Sequence, residues 1–208
     1  MELIPQLYIK KYTEMRIKTT LYFVCVWSLV LFTNCKNDSK SKANPLNAKE
    51  TLAQLDSLAI QIEALENEKC ENLDTIVILN EKMRRIIENI RSINEFDDLV
   101  NSFDQDRQQI GLTVSEDGKF GVFTWQSKMD CLGIHIKNIA LYKTDGRVYT
   151  SSLYGEPLVC HEITNKTINT DKTVYLLRGS SSTNISDSLI KTYTISNGDL
   201  VEARISSP

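Results

Sequence analysis

Both histidines of the chain stand beside cysteines, Cys131 with His135 and Cys160 with His161. Thiolate and imidazole are the ligands of tetrahedral zinc, so a four-ligand site is the first chemistry to weigh. Strand geometry opposes it. In a strand Cys131 and His135 would share a face, but adjacent Cys160 and His161 point to opposite faces and cannot both close one tetrahedron without a bulge. No metal is expected, and no cofactor. Nucleophilic catalysis needs a base within reach of Ser, Thr or Cys, and neither histidine sits in a nucleophile elbow or a comparable signature. A small hydrolase using His135 or His161 stays as the alternative to a non-catalytic protein. Gly-rich phosphate loops and acidic metal loops are missing, and Asp117 with Gly118 fits a hairpin turn better than a ligand loop. The aromatics Trp125, Phe123 and Tyr142, with Tyr149, Tyr154 and Tyr175, could line a ligand groove or form core. The run Arg178 to Asn184 (RGSSSTN) reads as a polar surface loop.

The cysteines change meaning with compartment. Ahead of them, Leu21 to Phe32 (LYFVCVWSLVLF) is an almost wholly apolar run of 12 residues preceded by Arg16 and Lys18, the pattern of a secretory signal. A spanning helix needs about 20 apolar residues, and here Lys36 to Lys40 (KNDSK) arrives too soon. Leu31-Phe32-Thr33-Asn34-Cys35 resembles the lipobox where lipoprotein signal peptidase cuts and the cysteine becomes diacylated. Phe32 and Asn34 depart from its commonest form, which has Leu at −3 and a small residue at −1. The resemblance implies a lipid on Cys35 and a protein held at a membrane outside the cytoplasm, with two or three acyl chains making a stable anchor. Met15 opens MRIKTTLYFV as a signal peptide should, so it reads as the true start.

With Cys25 cut away and Cys35 lipidated, Cys70, Cys131 and Cys160 remain. Cys131 and Cys160 lie in the same β-rich segment, and an oxidising compartment would let them bridge. The loop of about 28 residues would stabilise by roughly 3.5 kcal/mol on the chain-entropy account. Free buried thiols are the other reading of the pair, and Cys70 is expected to be unpaired or intermolecular.

The elements behind these residues follow from periodicity. Cys35 to Asn47 is polar and reads as a flexible tether. Asn47 with Glu50 starts a helix whose Leu52, Leu55, Leu58, Ile62 and Leu65 recur at steps of three and four. Asn72 can cap a second helical face of Ile76, Leu79, Met83, Ile86, Ile90 and Ile93, forming a helical hairpin or one long interrupted helix. Twelve acids against six bases between Ala48 and Val100 fit a solvated outer face. From about Gln109 the period becomes two. Strands are expected at Ile110 to Ser115, Lys119 to Gln126, Leu132 to Tyr142, Arg147 to Leu153, Leu158 to Thr164, Thr173 to Arg178, Leu189 to Ser196 and Leu200 to Ile205. Asp117-Gly118, Asp145-Gly146 and Asn197-Gly198 mark the turns of an antiparallel meander.

The segment Ser115-Glu116-Asp117-Gly118-Lys119-Phe120, then Val122-Phe123-Thr124-Trp125, and later Ile139 to Tyr149, resembles a group of uncharacterised Bacteroidota lipoproteins that share an S-x-D-G-K hairpin followed by a tryptophan. The likeness runs from Phe103 to Ile205. It departs after Trp125, where Gln126 to Cys131 replaces a Gly-rich acidic turn. It implies architecture and location, and no chemistry.

The chain has 24 Lys and Arg against 27 Asp and Glu. Without residues 1–34, which carry Lys10, Lys11, Arg16 and Lys18 against Glu2 and Glu14, 20 bases face 25 acids. Such a mildly acidic surface offers nothing to a phosphate backbone, so no nucleic acid is expected. The expected organisation is an α+β protein with a signal peptide at 1–34, a lipidated tether at 35–47, a helical segment at 48–100 and an antiparallel β domain at 104–208, folded as a sandwich or open barrel. The expected role is non-catalytic: a binding or scaffolding module of the bacterial cell envelope, anchored to the outer membrane through Cys35, with an envelope protein or glycan as its partner.

Overall fold

A computed structural model describes residues 46–66, 70–155, 158–169, 172–181 and 188–203. The expected signal peptide, Cys35 and the expected tether up to residue 45 lie outside the described residues. Among the described residues three α-helices precede eight strands. Helix α1 (Ala48–Ala64) starts where Asn47 Oδ1 accepts the Glu50 N–H at 3.3 Å, and it buries Leu52, Leu55 and Ile62. Helix α2 (Leu73–Glu88) buries Ile76, Leu79, Asn80, Met83 and Ile87. Asn72 precedes it without capping; its amide donates instead to the Glu66 carbonyl at 2.7 Å. Helix α3 (Ile93–Ser102) begins at a capping box, Ser92 and Glu95 each satisfying the other's backbone N–H, and buries Phe96 and Leu99. The continuous apolar face expected through Ile93 is cut, because α2 ends at its cap residue Asn89 and the Ser92–Glu95 capping box satisfies the first N–H groups of a new helix. Among the described residues the helical segment is three helices: α1 and α2 pack on one another, and α3 follows the Ser92 cap as a helix that neither a simple hairpin nor one long rod includes.

The strands form two four-stranded antiparallel meanders, β1 (Gly111–Val114), β2 (Phe120–Met129), β3 (Ile134–Thr144) and β4 (Arg147–Ser152) in one sheet, and β5 (Leu158–Asn169), β6 (Lys172–Ser181), β7 (Ser188–Ser196) and β8 (Asp199–Glu202) in the other. Two of the hairpins turn on two residues with positive φ, Asp145 and Gly146 (51° and 73°) and Asn197 and Gly198 (53° and 85°), the backbone that matches strand twist. Strand β6 runs on through Ser181, so Arg178 to Ser181 is sheet and not the expected loop.

Strand β2 is covered on both faces. Phe123 and Trp125 point to the helices and share a core with Leu55, Met83, Ile87, Phe96, Leu99, Ile139 and Leu141. Phe120 and Val122, opposite them, join Ala140, Tyr142, Leu158, Ile163, Tyr175 and Leu177 in the core between the sheets. Helices, first sheet and second sheet therefore stack as three layers, and the helices share a core with the first sheet. Gly121 belongs to the close helix contact: a Cβ there would meet the Phe96 ring at 3.0 Å.

The S-x-D-G-K turn fastens the two sheets. Asp117 Oδ1 accepts from Ser115 Oγ at 2.6 Å and from the Lys119 N–H at 3.0 Å, while its Oδ2 accepts from Tyr175 Oη at 3.1 Å. The Tyr175 ring stacks on Phe120 with centroids 4.9 Å apart. Burial, then the Asp117 carboxylate, pushes the Tyr175 phenol well above its ordinary range, so it remains a donor to Asp117.

A candidate binding cavity beside Trp125

Trp125 is 4% exposed, and its indole is tied to helix α2. Trp125 Nε1 donates to Asn80 Oδ1 at 2.8 Å, and Asn80 Nδ2 donates to the Ile76 carbonyl at 2.8 Å and to the Ser127 carbonyl at 2.9 Å. One buried amide thus satisfies an indole and a strand carbonyl where β2 bulges between Gln126 and Met129. The bulge turns Lys128 outward (φ 52°), and its ammonium donates to the Glu63 carbonyl at 2.6 Å, capping the C-terminal end of α1. The chain then makes a short 3₁₀ turn, Asp130–Leu132, from which Cys131 bonds to Cys70 across a Cα separation of 6.0 Å.

Between α2 and the first sheet this arrangement leaves a cavity of about 320 Å³. Val77, Met129, Ile139 and the Trp125 ring give it apolar walls, and Ser152 adds a hydroxyl from the edge strand β4. Its charged groups are Glu81, Arg84 and Lys137. Two of these neutralise each other. Arg84 Nε donates to Glu81 Oε2 at 2.7 Å, Arg85 Nε donates to Glu81 Oε1 at 3.0 Å, and Arg84 also pairs with Glu88. Hydrogen bonds from Arg84 first, then from Arg85, hold the Glu81 carboxyl down at about 2, so it is ionised at any physiological pH. Lys137 stands directly across from Trp125 in the β2–β3 register, on the same face, and is partly buried. No hydrogen-bond acceptor or carboxylate among the described residues partners its ammonium.

The residues singled out by sequence are divided among several places. Phe123 is sealed in the helix-side core, and Tyr142 is buried in the core between the sheets, where it stacks on Tyr149 at 5.9 Å, so the three aromatics do not meet in one groove. Of the three, Trp125 lines this cavity. The expected Cys131–Cys160 bridge is corrected: Cys131 pairs with Cys70, and Cys160 is free. The cause is orientation, since Cys160 faces the intersheet core while Cys131 sits on the surface turn beside the α1–α2 connection. Burial pushes the Cys160 thiol up to about 11, leaving it an inert apolar group.

His161 is the extra residue of a bulge between Cys160 and Glu162, and Cys131 is oxidised, so the two Cys-His pairs do not converge. Among the described residues no group of three or more His, Cys, Asp and Glu could hold a metal ion. His135 pairs with the Asp130 carboxylate on the exposed 3₁₀ turn. His161 Nε2 lies 3.1 Å from Ser180 Oγ, with the nearby Glu162 turned to Arg178 at 3.5 Å. The cavity contributors Asn80 and Lys137 and the cysteine partner Cys70 escaped the sequence reading. Asn80 carried one usable sign, a polar residue set inside the apolar stripe of Ile76, Leu79 and Met83. The chain matches no family model, no curated protein and no solved structure.

Proposed function

We propose that the protein is a lipid-anchored lipoprotein of the bacterial cell envelope, attached to the outer membrane through Cys35, and that its folded body is a non-catalytic binding or scaffolding module. The observation that carries the reading is the Cys70–Cys131 bond between the helical connection and the first sheet. Such bonds form and persist outside the reducing cytoplasm, the direction in which the apolar Leu21–Phe32 segment and the lipobox-like Leu31 to Cys35 also point. Among the described residues no helix is long and apolar enough to cross a membrane. The cavity beside Trp125, at the small end of the roughly 300–1,000 Å³ range of ligand sites, supports binding as the work of the body.

The test is metabolic labelling of cells producing the full chain with an alkyne-tagged fatty acid, followed by fractionation. Label and membrane retention are expected for the wild type, with both lost in Cys35→Ala. Fatty-acid label on Cys35→Ala, or wild type without label, overturns the anchor. A second reading, a small hydrolase, is favoured by the contact between His161 and Ser180. Fluorophosphonate labelling of wild type that disappears in Ser180→Ala would establish it and displace the non-catalytic module.

A further inference from the structure

We propose that the cavity between α2 and the first sheet binds a small monocarboxylate with an apolar body, its carboxylate on Lys137 and its body against Trp125, Ile139 and Met129. The inference rests on the binding-module reading and gives that module a ligand class. Three observations carry it. The walls are apolar on both sides, helix and sheet, so an apolar body displaces water from Val77 and Ile139 at no cost in lost hydrogen bonds. The polar groups that could compete are already committed: the Asn80 amide spends its oxygen on Trp125 and its nitrogen on Ile76 and Ser127. The exceptions are the Ser152 hydroxyl and Lys137, the latter a partly buried ammonium without a counter-charge among the described residues.

The charge arithmetic selects one negative charge. Glu81 and Arg84 cancel within the lining, leaving the single positive charge of Lys137. A carboxylate balances it, whereas a dianionic phosphate would bring a second charge toward the Glu81 carboxylate. The Ser152 hydroxyl can donate to the second carboxylate oxygen. The volume of about 320 Å³ limits the body to a short chain or one ring.

The experiment uses the full chain carrying Trp27→Phe in lipid nanodiscs, which leaves Trp125 as the sole indole of the two in the sequence. Its emission is titrated with hexanoate, hexanamide and hexyl phosphate against empty nanodiscs. A saturable Trp125 response to hexanoate is expected, with affinity on the order of tenfold weaker for hexanamide and weaker also for hexyl phosphate, the scale of one charge-assisted contact in a partly wet site. Lys137→Gln should lose the same tenfold for hexanoate and leave hexanamide unchanged, while Lys137→Arg retains hexanoate. Equal binding of acid and amide, no saturable response, or indifference to Lys137→Gln overturns the proposal. If Lys137→Gln fails to fold, the acid-to-amide ratio in the parent and in Lys137→Arg decides alone. Failure here leaves the labelling and fractionation result intact, and failure of the anchor there leaves this titration intact, so the two readings fall separately.

Discussion

Replacing Asn80 by leucine removes three side-chain hydrogen bonds while keeping the number and branching of the side-chain heavy atoms. Asn80 is 4% exposed, and the partners it abandons, Trp125 Nε1 and the carbonyl of the wholly buried Ser127, have little access to water. Each orphaned group costs about 1–3 kcal/mol, and the gain from burying leucine in place of an amide offsets part of that. The net expected loss is about 2–3 kcal/mol, or a fall in Tm of about 5–10 °C for a body of this size. Trp125→Phe, which strands Asn80 Oδ1, should cost a similar amount. The double variant has no orphan at this contact, so its cost should fall short of the sum by about 1–2 kcal/mol. Urea unfolding of the four proteins, followed by far-ultraviolet circular dichroism, measures the cycle. Additive costs, or a loss below about 0.5 kcal/mol for Asn80→Leu, would refute the claim that this amide joins helix to sheet.

Two further outcomes are expected. The Cys70–Cys131 bond spans a sequence separation of 61, which on the chain-entropy account is worth up to about 4.3 kcal/mol. Reduction and the double change Cys70→Ser with Cys131→Ser should therefore lower Tm alike, and peptide mapping of unreduced protein should find Cys160 alkylated only after denaturation; a Cys131–Cys160 peptide would contradict the fold. The Glu81 carboxyl, held at about 2 against an ordinary 4.5, contributes stability that is complete above the ordinary carboxylate range and is lost as pH falls toward 2. Because the group is 38% exposed, Glu81→Gln should cost no more than about 1 kcal/mol at pH 7, with the gap to wild type closing between pH 5 and 2. A gap independent of pH would show that the pairing with Arg84 and Arg85 contributes nothing.

The eight strands were legible because their signals are local. Alternating side chains run between turn pairs such as Asp145-Gly146 and Asn197-Gly198, whose φ values of 51° to 85° are the conformations that Asp, Asn and Gly tolerate. The shared face of Phe123 and Trp125 was legible for the same reason, since the period of two needs no partner. Helix α3 was missed although Ser92 and Glu95 spell its cap, because Ile90 and Ile93 carry the apolar step across the break. The pairing of Cys131 depends on how the α1–α2 connection lands on the β2–β3 bulge, a contact between segments 61 residues apart that no window of sequence contains. The cavity is of the same kind. Asn80 and Arg84 come from a helix and Lys137 from a strand, and only docking of the layers makes neighbours of them.

The clamps at the end of β2 also decide how the body would answer a pull. A load arriving from ahead of Asn47 enters α1 first, where the opposing connections include the packing of Leu52, Leu55 and Ile62, the Gln109 N–H on the Asp56 carboxylate and the Lys128 ammonium on the Glu63 carbonyl. Those yield one after another, like a zip. At Cys70 the load meets a covalent link to Cys131 and passes into the 3₁₀ turn and the ends of β2 and β3, so α2, with its seat on Asn80 and Trp125, lies beyond the point where force can unravel the chain from that end. The extension gained before this stop is limited to α1 and the connection behind it, because residues 70–131 form a covalently closed loop.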